Sequence, residues 1–228
     1  MGNRSAFETE VHAEMKKLIT QKDYPCVAAL QSFYHNDFRV KIYRGLGQQQ
    51  QRPTLREDLL DYLQSYNKSR SEYFTFWAVF EDQNLMNEEE FEKRLWSELS
   101  SLTSEETRHQ DADPRFSSNP ADKNFCFSLG GKAFFVVGLH KQSSRVSRQF
   151  PWPTLIFNVF EQFDQLAQQE KYHPMIKLNR QRDIRYQGSA NPMALEHNDD
   201  WESIQFSGRK NSKQWKCPFS YFSKLLSL

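Results

Sequence analysis

Glycine is scarce in this chain, with eight residues among 228, which is about half the usual frequency. The closest pairs are Gly45 with Gly47 and Gly130 with Gly131, and neither continues into a GxGxxG or GxxxxGK[ST] loop. Rossmann and P-loop domains need such loops because the glycines let the backbone approach a phosphate group. Both classes of nucleotide-binding domain are therefore excluded.

Cysteine is rarer still, and Cys26, Cys126 and Cys217 are far apart in the sequence. They form no CxxC pair, so we expect neither a structural zinc site nor a disulfide framework. The sequence also lacks an apolar run of membrane-spanning length, and its first residues contain no apolar signal segment. These absences predict a cytoplasmic protein without a membrane partner.

An excess of charge of one sign is absent as well. The 30 Lys and Arg residues almost balance the 29 Asp and Glu residues, so the chain as a whole gives no reason to expect a nucleic acid partner. Aromatic residues, in contrast, make up 14% and include 19 Phe, which indicates a folded core. No repeat or change of composition marks a second domain, so we expect a single domain over residues 1–228. A helix over residues 5–20 could lie at its periphery.

The order of apolar and polar residues predicts helices mixed with strands. Helices are expected over residues 6–19, 27–34, 55–66, 88–99, 159–169 and 171–186. Strands are expected over residues 38–43, 73–80, 125–129, 133–139, 154–157 and 201–206. Because this order lacks a regular βαβ alternation, it indicates an α+β fold with a mainly antiparallel sheet flanked by helices.

One histidine and two arginines follow the strand predicted over residues 133–139. His140 comes directly after that strand, where a ligand to a buried cofactor would be held rigidly. The alternative is a loop histidine that hydrogen-bonds a backbone carbonyl. Arg145 and Arg148 belong to a segment, residues 141–185, with eight Lys and Arg against four acids. These arginines suit a planar anion such as a carboxylate, or else they belong to a solvated surface.

Several motifs occur in an order that is similar to a known family. They are Tyr24-Pro25-Cys26, Asn124-Phe125-Cys126-Phe127, Gly131, residues 133–137, His140, Ser144-Arg145, Ser147-Arg148, Arg185-Tyr186 and Trp201-Glu202. In this order the chain resembles the YqcI/YcgG family from Tyr24 to Phe206, most specifically in the block from His140 to Arg148. Members of that family include haem-dependent N-oxygenases that hydroxylate guanidino or amino nitrogens of amino acids.

The resemblance implies a haem-dependent monooxygenase that N-hydroxylates an arginine-like or amine substrate. It would use haem b, dioxygen and electrons from a redox partner protein. Haem b needs an apolar slot, an axial ligand and cations for its two propionates. We expect His140 to ligate the iron, Phe135 and Phe157 to line the slot, and Arg145 and Arg148 to hold the propionates or a substrate carboxylate.

A cationic substrate also needs an acid, and Glu202 is the candidate catalytic residue for this purpose. Glu202 follows Trp201 in a predicted strand, where alternation lets only one of the two line a pocket. Its other interpretation is a surface acid. If His140 is not the iron ligand, Cys126 and His197 are the next candidates. Two further functions stay open, namely a non-catalytic haem carrier or gas sensor, and an interaction domain without a cofactor.

Overall fold

The computed structural model describes residues 2–48, 52–69, 71–82, 84–192, 202–212 and 214–221. Within these ranges the helices are α1 Gly2–Ile19, α2 Val27–Tyr34, α3 Arg52–Lys68, α4 Glu88–Leu102, α5 Arg108–Asp111, α6 Glu161–Gln168 and α7 Tyr172–Gln187. The strands are β1 Phe38–Arg44, β2 Thr75–Glu81, β3 Ser128–Leu129, β4 Lys132–Leu139 and β5 Thr154–Val159. Two short 3-10 turns cover Val146–Arg148 and Glu202–Gln205.

The five described strands form one sheet in the order β1-β2-β5-β4-β3. Strands β1 and β2 are parallel, with Phe38 opposite Thr75 and Arg44 opposite Glu81, and the other pairs are antiparallel. The parallel pair arises because α3 lies between β1 and β2 and returns the chain to the same end of the sheet. The predicted α+β fold with a mainly antiparallel sheet is confirmed, and the sheet is mixed.

Alternation along the strands divides the apolar residues between the two faces of the sheet. In β2, Phe76 and Phe80 join a core with helices α3 and α4, and we call this side the α4 face. Trp77 and Val79 join a second core with α1, against which residues of α2 also pack, and we call this side the α1 face. Helix α1 buries Met15 in this second core.

Local sequence signals explain where two of these elements begin or turn. Gly130 and Gly131 have φ values of 59° and 76°, a backbone conformation that favours glycine at both positions of a tight hairpin between β3 and β4. The side chain of Asn87 accepts a hydrogen bond of 2.9 Å from the N–H of Glu90, which caps the first turn of α4.

The strand predicted over residues 201–206 is wrong. The chain forms a 3-10 turn over Glu202–Gln205, and the carbonyl of Phe206 then accepts one hydrogen bond of 2.7 Å from the N–H of Gly138 in β4. This segment therefore touches the sheet edge at one point without forming a ladder. No helix in the described part of the chain is long and apolar enough to cross a membrane.

Candidate functional site

An open cavity of about 270 Å³ lies on the α1 face of the sheet, beneath helices α1, α2 and α7. Its floor consists of apolar side chains from β2, β4 and β5, which are Trp77, Phe135, Val137 and Ile156. The helices add further apolar groups opposite, including Met15, Phe33 and Met175. Concave, mostly apolar sites with a few polar groups are typical of small-molecule and cofactor binding.

One of the polar groups at this cavity is the thiol of Cys26, at the N-terminus of α2. The Sγ atom accepts a hydrogen bond of 3.4 Å from the N–H of Ala29 and so caps the helix. Burial raises the pKa of the thiol, while the Ala29 N–H and the positive charge of Arg148 act in the opposite direction. The free thiol is therefore protonated at neutral pH, yet it has two features that stabilise a thiolate.

Arg148 lies at the same cavity and is buried. Its guanidinium donates hydrogen bonds to the carbonyls of Gly138, Gln205 and Phe206 at 3.1–3.2 Å. Burial lowers the pKa of Arg148 to about 10, so the group stays charged at neutral pH. Among the described residues, no carboxylate forms an ion pair with Arg148, because the nearby Asp183 pairs with Arg145 and acts on Arg148 only through its charge. The site therefore holds a buried positive charge without a direct ionic partner, which favours an anion nearby.

Arg145 forms an ion pair with Asp183 of α7. The two groups are 2.6 Å apart, and their side chains are 9% and 10% exposed. Arg145 also donates to the hydroxyl and the carbonyl of Ser189, and Asp183 Oδ2 accepts from the N–H of Asn191 at 2.7 Å. Asp183 Oδ1 has no hydrogen-bond partner in the described part of the chain.

His140 lies on the other side of the sheet. Its ring stacks on Phe91 of α4, with centroids 4.3 Å apart and planes 18° from parallel. Burial lowers the pKa of the imidazole, and the Glu88 carboxylate offsets part of this effect, so the neutral form is favoured. Among the described residues, neither ring nitrogen has a hydrogen-bond partner of good geometry, although the backbone of Met86 acts to raise the pKa of the imidazole. The residue borders a separate cavity that it shares with Asp82 and Trp152.

Residues 15–220 match the family model described as the YqcI/YcgG family. The chain belongs to this family. No curated protein and no solved structure matches it. The matched segment of the YqcI/YcgG family includes the whole cavity on the α1 face as well as His140, and the predicted resemblance is confirmed.

In this family member the structure brings together Phe135, Arg145 and Arg148, which line the cavity. It does not place His140 or Phe157 there. Phe157 is completely buried on the α4 face, where its ring meets other core rings. The predicted apolar slot therefore has Phe135 but not Phe157 in its wall.

The other candidates of the sequence analysis lie elsewhere. Cys126 is buried on the α4 face, and its Sγ donates to the carbonyl of Phe134. The side chain of Glu202, and both Trp201 and His197, lie outside the described residues. Among the described residues, no group of three or more His, Cys, Asp or Glu side chains could hold a metal ion.

Two cavity residues were missed in the sequence analysis. Cys26 belongs to the Tyr24-Pro25-Cys26 motif, and its place between a proline and an apolar helix was a signal for a helix-capping thiol. Asp183 was counted only as one acid in a basic segment. Its partner Arg145 is 38 positions away in the sequence, and nothing in the spacing predicts that contact.

Proposed function

We propose that this chain binds haem b in the cavity on the α1 face and N-hydroxylates a guanidino or amino nitrogen of a small amino-acid-like substrate. The observation that carries the proposal is the position of Cys26, a thiol at a helix N-terminus that opens into an apolar cavity beside a buried guanidinium. Cysteine thiolate is the axial ligand that favours O–O bond cleavage by haem enzymes. This position supports Cys26 as the iron ligand rather than His140, which borders the other cavity.

The cavity residues fit a haem group in three respects. The floor of Trp77, Phe135, Val137 and Ile156 is an apolar wall formed by one face of a sheet, which suits the planar macrocycle. Cys26 supplies one ligand atom. The cations Arg145, Arg148 and Arg180 also border the cavity, which suits the anionic propionates and thiolate.

Proton release from Cys26 Sγ would accompany ligation, because a thiol coordinates as the thiolate. The N–H of Ala29 already points to the sulfur and can hold the negative charge once the proton has left. Arg148 adds a fixed positive charge that has no carboxylate partner among the described residues. Both groups are in place before ligation, so little reorganisation is needed.

Haem, when bound, supplies the activation of dioxygen with electrons from an external donor. The protein holds the substrate nitrogen within the cavity, and the apolar walls keep water away from it. The donor would be a redox partner protein. The three cysteines are free, as is usual in a reducing compartment, and this supports a cytoplasmic location.

Turnover by the haem-loaded protein tests the function. The chain is reconstituted with haem b and incubated with arginine, lysine or simple guanidines, together with isotopically labelled dioxygen and a surrogate reductase. We expect a product with one labelled oxygen on nitrogen, detected by mass spectrometry. A haem-loaded protein that oxidises none of these compounds would instead support a haem carrier or gas sensor. A chain that binds no haem would support an interaction domain without a cofactor.

A further inference from the structure

The short segment that carries Cys26 is held in place by helix α7. Asn179 Oδ1 of α7 accepts a hydrogen bond of 2.9 Å from the N–H of Val27, across 152 positions of the sequence. Arg182 Nε donates one of 2.7 Å to the carbonyl of Tyr24, across 158 positions. Asn179 and Arg182 are three residues apart, so both lie on one side of α7. The helix therefore binds the backbone on either side of Cys26.

These two contacts fix the direction of the Cys26 side chain. The Val27 N–H belongs to the planar peptide unit directly after Cys26. The Tyr24 carbonyl belongs to the unit before Pro25, whose ring fixes its own φ angle. With both units held, few backbone torsions remain free between them. The Sγ atom therefore stays close to the N–H of Ala29 and at the cavity on the α1 face.

The contact of Asn179 is also one that Cys26 does not make itself. The first N–H groups of a helix have no partner within it, and an N-cap side chain accepts from the second or third of them. In α2, Cys26 Sγ accepts from the third residue, Ala29, and Asn179 accepts from the first, Val27. The two acceptors therefore do not compete for one donor. We propose that Asn179 and Arg182 position Cys26 for ligation of the haem iron, an inference that rests on the proposed function.

Hydrogen exchange in the haem-free chain tests this positioning without the cofactor. The exchange rates of the Val27 and Ala29 amides are measured by NMR spectroscopy in the unaltered chain and in Asn179→Ala. We expect exchange at both amides to become about twofold to tenfold faster, the range that one hydrogen bond supports. Asn179→Asp should restore slow exchange, because a carboxylate oxygen accepts the same hydrogen bond.

Gln181→Ala is the matched control, because Gln181 is exposed on the same helix and its loss should leave both rates unchanged. The Ala29 amide decides the outcome, since it bonds to Cys26 Sγ and not to Asn179. Faster exchange at Val27 alone would show that Asn179 has no influence on the cysteine, and would overturn the inference.

Haem binding by the same variants provides a second readout. If the segment around Cys26 has the competent orientation for only part of the time, the apparent haem affinity falls by that fraction. We expect Asn179→Ala to bind hemin about twofold to tenfold more weakly. A smaller share of its reduced carbon monoxide complex should show the long-wavelength Soret band of thiolate ligation. Arg182→Met, which removes the other contact, should act in the same direction.

The possible failures of this inference and of the proposed function differ. Unaltered affinity and an unaltered thiolate band in both Asn179→Ala and Arg182→Met would overturn the inference and leave the proposed function intact. A chain that takes up no haem refutes the proposed function. In that case the exchange rate at Ala29 still decides whether α7 positions Cys26.

Discussion

Gly138 is a position where a single methyl group should disturb the core on the α4 face and the anchor of Arg148. A Cβ atom at this residue would lie 2.6 Å from a ring carbon of Phe91 and 2.9 Å from the carbonyl oxygen of Phe206. The Phe91 ring is completely buried and stacked on His140, so it cannot move aside easily. The Phe206 carbonyl accepts from the Gly138 N–H and from Arg148, so its displacement weakens two hydrogen bonds.

We expect Gly138→Ala to lower the free energy of unfolding by about 1.5–4.5 kcal/mol. Overpacking of a buried site costs about 1–3 kcal/mol, and weakening of a hydrogen bond adds about 0.5–1.5 kcal/mol. In a chain of this length the melting temperature should fall by about 3–18 °C. Urea and thermal unfolding, followed by circular dichroism, measure both quantities.

Gly131→Ala is the control for the loss of a glycine. Nothing lies within 4 Å of a Cβ atom at Gly131, so only its positive φ opposes the substitution, at a cost of about 1–2 kcal/mol. The double variant of Gly138→Ala with Phe91→Leu should lose less stability than the sum of the two single variants, because leucine lacks the clashing ring atom. Strict additivity, or a Gly138→Ala variant as stable as Gly131→Ala, would refute the reasoning.

Two further predictions concern ionisable side chains. Burial lowers the pKa of His140 below its ordinary 6.5. As the pH falls below 6.5, the unfolded chain therefore binds more protons than the native chain, and the free energy of unfolding decreases as the pH is lowered. His140→Gln should show a smaller loss of unfolding free energy between neutral and mildly acidic pH, and an unchanged slope would contradict a buried neutral imidazole. Arg148→Gln should weaken haem affinity by about tenfold to a hundredfold, equivalent to about 1.5–3 kcal/mol. A hemin titration at the Soret band measures this, and a folded variant with unaltered affinity would show that its charge does not act on the cofactor.

Much of the fold could be predicted because its signals are local. Helix α2 begins at Val27, directly after the proline-cysteine pair, and ends at Tyr34, as the apolar pattern indicates. The glycine pair between β3 and β4 identifies the hairpin. The parallel pairing of β1 with β2 could not be predicted in this way, because it depends on where α3 packs. The segment 201–206 has the composition of a strand, but its described residues, 202–206, form one backbone hydrogen bond with β4.

The residues that form the site could be predicted from the sequence more readily than their arrangement in space. Alternation along β4 already implies that Phe135 and Val137 face one way and Phe134 and Val136 the other. In the structure Phe135 and Val137 line the cavity and Phe134 and Val136 belong to the core on the α4 face, against which Phe135 also packs. His140 continues the second series, so its separation from Phe135 was open to prediction. The position of Arg148 at the α1 face could not be predicted, because the chain turns between Leu139 and Thr154. Two of the three carbonyls that hold Arg148, those of Gln205 and Phe206, also come from a segment that is distant in the sequence.

The central claim is that haem binds in the cavity on the α1 face with Cys26 as the iron ligand. The identity of that ligand tests the claim most directly. Cys26→Ser and His140→Ala are reconstituted with haem b beside the unaltered chain, and the absorbance of each reduced carbon monoxide complex is recorded. We predict that the unaltered chain and His140→Ala share the long-wavelength Soret band of thiolate ligation, and that Cys26→Ser loses it. An unchanged spectrum in Cys26→Ser, together with loss of haem or a shifted band in His140→Ala, would contradict the assignment of the cavity on the α1 face as the haem site.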